Sequence, residues 1–135
     1  MRIALDSSVL IAAHISRAGA CAELFEDVLL HHDMVNSEFI LEELCRKLGE
    51  KFKFPTREAD QVVAFLRRVA IGVVPTDLPS DLCRDPKDVP VLGTAVAGRC
   101  ALLISVDRDL LDLQTIQEIP IVRPGEYWRR SDETA

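Results

Sequence analysis

Apolar residues along this chain fall into two alternating patterns, short unbroken runs and stripes at helical spacing. Ile3, Ala4 and Leu5 follow Arg2 as one run, and 101–106 is a second, interrupted only by Ser105. Runs of this length predict strands buried on both faces, as in a parallel sheet. Cys21, Leu24, Phe25 and Val28 mark one face of a helix starting near Ala18. Ile40, Leu41, Leu44, Cys45 and Leu48 form the stripe of another helix, and Ala59, Val62, Val63, Leu66 and Val69 that of a third.

The residues between these segments supply the boundaries. A short helix is predicted over 7–13, and a short strand around Met34 and Val35 leads to Ser37, an N-cap for the second stripe, which ends near Gly49. The loop 51–55 precedes Thr56, read as the cap of the third stripe. A strand over 71–74 is ended by Pro75, and prolines and aspartates make 76–87 an extended connection. The next helix covers 89–97 and stops at Gly98. Pro90 locates its start, because proline is tolerated only in the first turn, and Asp88 falls near the N-cap. A last strand covers 119–122. Pro124 follows, and the polar residues after Trp128 predict a frayed tail. His14 is read as a loop residue, and His31 and His32 as surface residues. With no repeat and no linker, this alternation predicts a single α/β domain over 1–128, a parallel sheet with helices on both faces, and a tail over 129–135.

Composition narrows the class. At 48% apolar and 28% charged residues, the 135-residue chain reads as an ordinary globular domain large enough for one core. It lacks an apolar run of the ~18–20 residues a membrane span requires and the pattern of a signal peptide, so the expectation is a cytoplasmic protein without a membrane partner. Cys21, Cys45, Cys83 and Cys100 show no Cys-x-x-Cys spacing. They are expected to be reduced, mostly buried thiols rather than zinc or redox motifs.

Charge changes the picture further. A net charge of −6 argues against a broad nonspecific nucleic-acid surface, since that affinity comes from Lys and Arg neutralising phosphates. It does not exclude a nuclease whose excess acids are gathered around cations. Arg46, Lys47, Lys51, Lys53 and Arg57 form a local basic cluster, either a solvated helix end and loop or a flank that contacts phosphates.

The acids carry the chemistry. Asp6 follows the first apolar run and Asp107 follows the second. In open parallel sheets, ligands bind in the crevice beyond the carboxyl ends of the strands, so acids ending two strands point at one crevice. Glu43, on a helix, and Asp85 and Asp88, at the opening of another, can reach the same place. Each also has an ordinary role: Asp6, Asp107 and Asp88 can cap helices, Asp85 can hold a turn, and Glu43 can be a solvated surface residue. Four carboxylates within about 5 Å repel by roughly 3 kcal/mol per pair at an effective dielectric near 20. A domain stable by only ~5–15 kcal/mol needs cations, protons or solvent to offset such a cluster. Hard oxygen donors favour Mg²⁺ or Mn²⁺, and the histidines offer no competing zinc pattern.

Four pieces in this order, Asp6-Ser7-Ser8-Val9-Leu10-Ile11, Ser37 through Glu42-Glu43-Leu44, Arg84-Asp85-Pro86-Lys87-Asp88-Val89-Pro90-Val91-Leu92 and Ser105-Val106-Asp107-Arg108-Asp109-Leu110, resemble the PIN-domain nucleases. The match runs from residue 2 to about residue 128. It is nearest to the small single-domain bacterial and archaeal members described as toxins of toxin-antitoxin pairs, the VapC-like proteins. The resemblance implies a parallel sheet of about five strands flanked by helices, an acidic pocket for Mg²⁺ or Mn²⁺, and RNA cleavage. It implies RNA, a cognate antitoxin and a second copy in a homodimer as partners. Residue by residue, it places the family's acids on Asp6, Glu43, Asp88 and Asp107, as catalytic and metal-holding groups. Ser8 matches a small polar position that is often asparagine, and Ser7 stands where threonine is usual. Asp85 belongs to an Asp-Pro-x-Asp form, and Asp109 matches a frequent second acid. Val89 departs from a position that is often acidic. Arg46, Lys47, Lys51 and Lys53 are the candidates for substrate phosphates.

Three rival readings are weaker or differ in class. An aspartyl phosphatase needs a second acid two residues after the first, where this chain has Ser8. A response-regulator-like phosphoacceptor needs acids before the strand-ending aspartate, and Asp6 is preceded by Ile3-Ala4-Leu5. A non-catalytic PIN domain acting as an RNA- or protein-binding module is separated from an enzyme by a metal-dependent cleavage assay.

Overall fold

A computed structural model describes residues 1–16 and 18–134, those from 131 onward as backbone alone. Strand β1 (Arg2–Leu5) leads through Asp6 into α1 (Ser7–Ile15) and α2 (Ala20–His31), followed by β2 (Asp33–Asn36). Helices α3 (Glu38–Glu50) and α4 (Thr56–Val69) precede the short β3 (Ile71–Gly72). A long connection ends in a 3₁₀ turn (Pro86–Asp88) that runs into α5 (Val89–Ala97) and β4 (Leu102–Ile104). The chain closes with α6 (Arg108–Leu113), the hairpin β5 (Thr115–Ile116) and β6 (Ile119–Val122), and α7 (Pro124–Thr134).

The sheet order is β3-β2-β1-β4-β6-β5. Every pairing is parallel except β5 against β6. The predicted five-strand parallel sheet is therefore present, extended by one antiparallel edge strand. β1 is followed in space by β2 on one side and β4 on the other, which makes the gap beyond β1 and β4 the switch point of the sheet. Leu5 is in register with Ile104, so Asp6 and Ser105, the next residue after each strand, leave the sheet side by side.

The core lies between sheet and helices. Ile3, Leu5, Met34 and Leu103 from the strands meet Leu10, Leu24, Ile40, Leu44, Leu48, Leu66 and Leu92 from the helices, all essentially inaccessible to solvent. Burying a side chain of this kind contributes about 1.5–3 kcal/mol, so the helical stripes rather than intrinsic propensity hold the frame. At α3 the Ser37 hydroxyl accepts from the Ile40 N–H at 3.4 Å, as its spacing predicts.

Several boundaries differ from the sequence expectation. Thr56 is the first helical residue of α4; Pro55 occupies the N-cap position and the cap has no side-chain hydrogen bond. β3 spans two residues rather than four, because its pairing length is set by the end of β2. His14 lies in α1, where its Nδ1 meets the Leu10 carbonyl oxygen at 2.7 Å and its ring meets Phe25 edge-on. His32 is half-buried, with Nδ1 at 3.1 Å from the N-terminal amine. Only Cys100 of the four free thiols is buried; the others are half-buried. The expected frayed tail is helical through Thr134, and Ala135 lies outside the described residues. Tyr127, wholly buried, anchors α7 by bonding the Asp27 carboxylate of α2.

Candidate metal centre

Asp6 is 3% exposed and serves as the N-cap of α1. Its Oδ1 accepts from the Val9 N–H at 3.1 Å and from the Ser8 hydroxyl at 2.5 Å, and its Oδ2 accepts from the Ser105 hydroxyl. Both oxygens are thus engaged from the surrounding elements. Burial pushes its pKa above the ordinary carboxylate value; the bonds from Ser105, Ser8 and Val9 oppose that rise, and nearby Asp107 adds to it. The hydroxyls keep a desolvated acid tolerable, since an unpaired buried charge is far more costly than a hydrogen-bonded one.

Asp107 is the third residue after β4 and caps α6, its Oδ1 accepting from the Asp109 N–H at 2.9 Å. Its own N–H donates to Ser105 Oγ at 2.9 Å. Asp88 also stands at an N-cap position, at the start of α5, yet its carboxylate makes no capping hydrogen bond. Capping therefore does not account for its orientation. Asp88, Asp107 and Asp109 each offer a carboxylate oxygen, and these oxygens lie within 4.8 Å of one another. The cost is visible on Asp88, whose pKa rises to about 7, first through burial and then through Asp107, Asp85, Asp109 and Glu43.

The remaining acids surround this trio. Asp85 caps the 3₁₀ turn, its Oδ1 accepting from the Lys87 N–H at 3.0 Å. Glu43 is half-buried on α3; Oε1 accepts from the Ser7 hydroxyl and lies 3.3 Å from Lys47 Nζ. Asp109 is met at 3.2 Å by the exposed Arg84, which also reaches Asp112 at 3.4 Å. The sequence placed Asp6 among the four principal acids and Asp109 only as a frequent second acid. In the structure, Asp109 belongs to the tight trio, while Asp6 is recessed beneath hydroxyl groups. Ser105, Ser7 and Arg84 were not singled out as site residues. Ser105 carried a signal, being the one polar residue in the second apolar run.

The basic candidates separate. Lys47 is committed to Glu43, Arg46 reaches Glu50 at 3.7 Å, and Lys53 Nζ donates to the Glu50 carbonyl at 3.2 Å. Lys51 is exposed at the far end of α3.

A carboxylate trio at the switch point of a mostly parallel α/β sheet offers the oxygen donors that hard cations prefer, on a doubly wound frame. A family model described as the PIN domain matches residues 2–109, an interval that contains every acid of the site, and the chain belongs to that family. The fold is also similar to that of chains in two solved structures. One is the crystal structure of VapBC2 from Rickettsia felis bound to a DNA fragment from their promoter, with 11% identity, coverage of 91% of this chain and 98% of that one, and a TM-score of 0.64. The other is VapBC-1 from nontypeable Haemophilus influenzae, with 14% identity, coverage of 93% and 99%, and a TM-score of 0.62. No curated protein matches the sequence.

Proposed function

We propose that the chain is a Mg²⁺- or Mn²⁺-dependent endoribonuclease and the toxin component of a toxin-antitoxin pair, working in the cytoplasm as a homodimer until a cognate antitoxin binds it. The observation that carries the reading is the convergence of Asp88, Asp107 and Asp109 within 4.8 Å at the switch point. Membership of the PIN family and likeness in fold to chains of two VapBC complexes support it.

The donor set fits the cation. Three carboxylates from two separate connections offer only oxygen, the preference of Mg²⁺ and Mn²⁺. Asp88, Asp107 and Asp109 would hold it directly, with Asp6 as the recessed acid of the floor and Asp85 fixing the turn that carries Asp88. When bound, the cation supplies Lewis acidity toward a phosphoryl oxygen and neutralises charge in phosphodiester hydrolysis. Ser8 and Ser105 hold the Asp6 carboxylate in one orientation. Glu43, fixed by Ser7 and Lys47, would orient the attacking water or complete the ligand set.

Incubation of the purified chain with single-stranded and structured RNA tests the reading. Cleavage is expected with Mg²⁺ or Mn²⁺, and neither in chelator nor with Asp107→Asn. Activity that persists in chelator or in that variant overturns it, and metal-independent RNA binding without cleavage indicates a binding module instead. Growth arrest on expression, relieved by the product of an adjacent small gene, tests the toxin role.

A further inference from the structure

A cleft of about 460 Å³ is lined by Phe39, Glu42, Glu43 and Arg46 of α3 and by Lys87 of the 3₁₀ turn. The four helical residues are spaced i, i+3, i+4 and i+7, which puts them on one face. Two features connect the cleft to the acidic centre: Glu43 lines it, and Lys87 immediately precedes Asp88.

The charges in the cleft are not matched to one another. Among the described residues, Lys87 pairs with no carboxylate, and Arg46 reaches only Glu50, at 3.7 Å. Neither cation pairs with Glu42 or Glu43, although all four line the same cleft. In a chain of net charge −6, Lys87, unengaged, and Arg46, held only by a long, solvent-exposed pair of the kind that contributes little, are available to an anion from outside. Phe39 is half-buried, packed against the core while also lining the cleft. Cations beside an aromatic ring are the elements by which proteins hold single-stranded nucleic acid, the cations on the backbone and the ring on a base.

We propose that this cleft is a nucleotide subsite for single-stranded RNA, in which Phe39 stacks a base and Lys87 and Arg46 hold an adjacent phosphate. The proposal rests on the ribonuclease reading of the neighbouring centre and names how that centre receives its substrate. A duplex keeps its bases stacked on one another, so the subsite discriminates against it. Lys51 and Lys53 are outside the subsite: eight residues along the helix place Lys51 roughly 12 Å from Glu43 in axial rise, and Lys53 is held by the Glu50 carbonyl.

The test is equilibrium binding of a fluorescein-labelled, unstructured oligoribonucleotide and of its duplex, at several salt concentrations with Mg²⁺. The full chain carries Asp107→Asn to keep the RNA intact. The single strand is expected to bind more tightly than the duplex. Lys87→Gln and Arg46→Gln should each lower the slope of log affinity against log salt by about 0.7, the value for one lost phosphate contact on a single strand. Phe39→Leu should weaken binding at least about fivefold without changing the slope, while Phe39→Tyr retains it. Lys51→Gln should leave the slope unchanged. Absence of RNA binding, equal affinity for the duplex, or an unchanged slope in the Lys87→Gln Arg46→Gln double variant overturns the subsite. Failure of the two readings is distinguishable. Single-strand binding that depends on the cleft, with no cleavage by the unsubstituted chain, overturns the ribonuclease alone; cleavage with indifferent cleft variants overturns the subsite alone.

Discussion

Ser105, at the end of β4, donates its hydroxyl proton to the carboxylate of Asp6, at the end of β1. The same oxygen accepts from the Asp107 N–H at 2.9 Å, so one buried hydroxyl ties the two strand-end acids together. Parallel register makes this possible, because Leu5 opposite Ile104 puts Asp6 opposite Ser105.

Ser105→Ala should therefore destabilise the protein by about 1–3 kcal/mol, the cost of leaving a buried polar group short of a partner. The sign with pH is fixed by Asp6. Its folded pKa already lies above the ordinary value, so its ionisation opposes folding as pH rises, and losing the Ser105 bond raises that pKa further. The variant's deficit should be larger at pH 7 than near pH 4. Urea unfolding at the two pH values measures it; equal deficits would show that the hydroxyl is not supporting a carboxylate.

In the proposed metal centre, Arg84 would compete with the cation for Asp109. Its guanidinium lies 3.2 Å from that carboxylate but is largely exposed, so the pair is worth no more than about 1 kcal/mol. Arg84→Gln should tighten Mn²⁺ binding by up to about fivefold and slightly destabilise the metal-free chain, because one offset to the acid trio is gone. Calorimetric titration checks the first effect and thermal melting the second. Weaker Mn²⁺ binding would remove Asp109 from the ligand set.

The connection before the 3₁₀ turn is held against α5 at Gly93. The Gly93 carbonyl accepts from the Thr76 N–H at 3.0 Å, and a Cβ at Gly93 would collide with the Thr76 carbonyl oxygen, with Pro75 Cβ only 3.1 Å away. Backbone cannot swing aside as a side chain does. Gly93→Ala should cost about 1–3 kcal/mol by overpacking. Because α5 carries Asp88 at its start, Mn²⁺ affinity should fall as well. A variant with unchanged melting temperature and affinity would mean that the connection is free to move.

The parts of this arrangement that were legible in sequence are those set by burial. Arg2–Leu5 and the 101–106 run have no polar alternative to the sheet interior, and the strand ends then dictate where Asp6 and Asp107 emerge. The hairpin of β5 was not legible. Its turn places Gln117 and Glu118 at φ of 47° and 71°, a conformation usually marked by Asn or Gly, so no composition signal existed. Helix α7 depends on Tyr127, whose burial against α2 is a tertiary event that polar neighbours conceal. The candidate site divides in the same way. The acids were visible, but which hydroxyl would engage which oxygen was not: Ser8 reaches Asp6 Oδ1 within the same turn, whereas Ser105 reaches Oδ2 only once β1 and β4 have paired.

Asp88 provides the sharpest test, because its two roles predict opposite signs. Its pKa of about 7 in the folded chain exceeds the ordinary 3.8. Between these values, the folded protein holds a proton that the unfolded chain has released, so stability falls as pH rises from about 4 to 7 and then levels off. Asp88→Asn removes that ionisation while keeping a residue suited to a helix start. In chelator, the variant should melt above the unsubstituted chain at pH 7 and higher. Its advantage should shrink as pH falls below 7 and vanish near pH 4. Saturating Mn²⁺ should narrow or reverse the order, because a ligand stabilises the native state by RT ln(1 + [L]/Kd) and the variant binds it more weakly. The unsubstituted chain must also release the Asp88 proton to bind, so its Mn²⁺ affinity should rise with pH up to about 7 and flatten above it. If Asp88→Asn instead lowers the melting temperature in chelator and leaves the Mn²⁺ response unchanged, Asp88 serves as a cap, and Asp85 takes its place as the third candidate ligand.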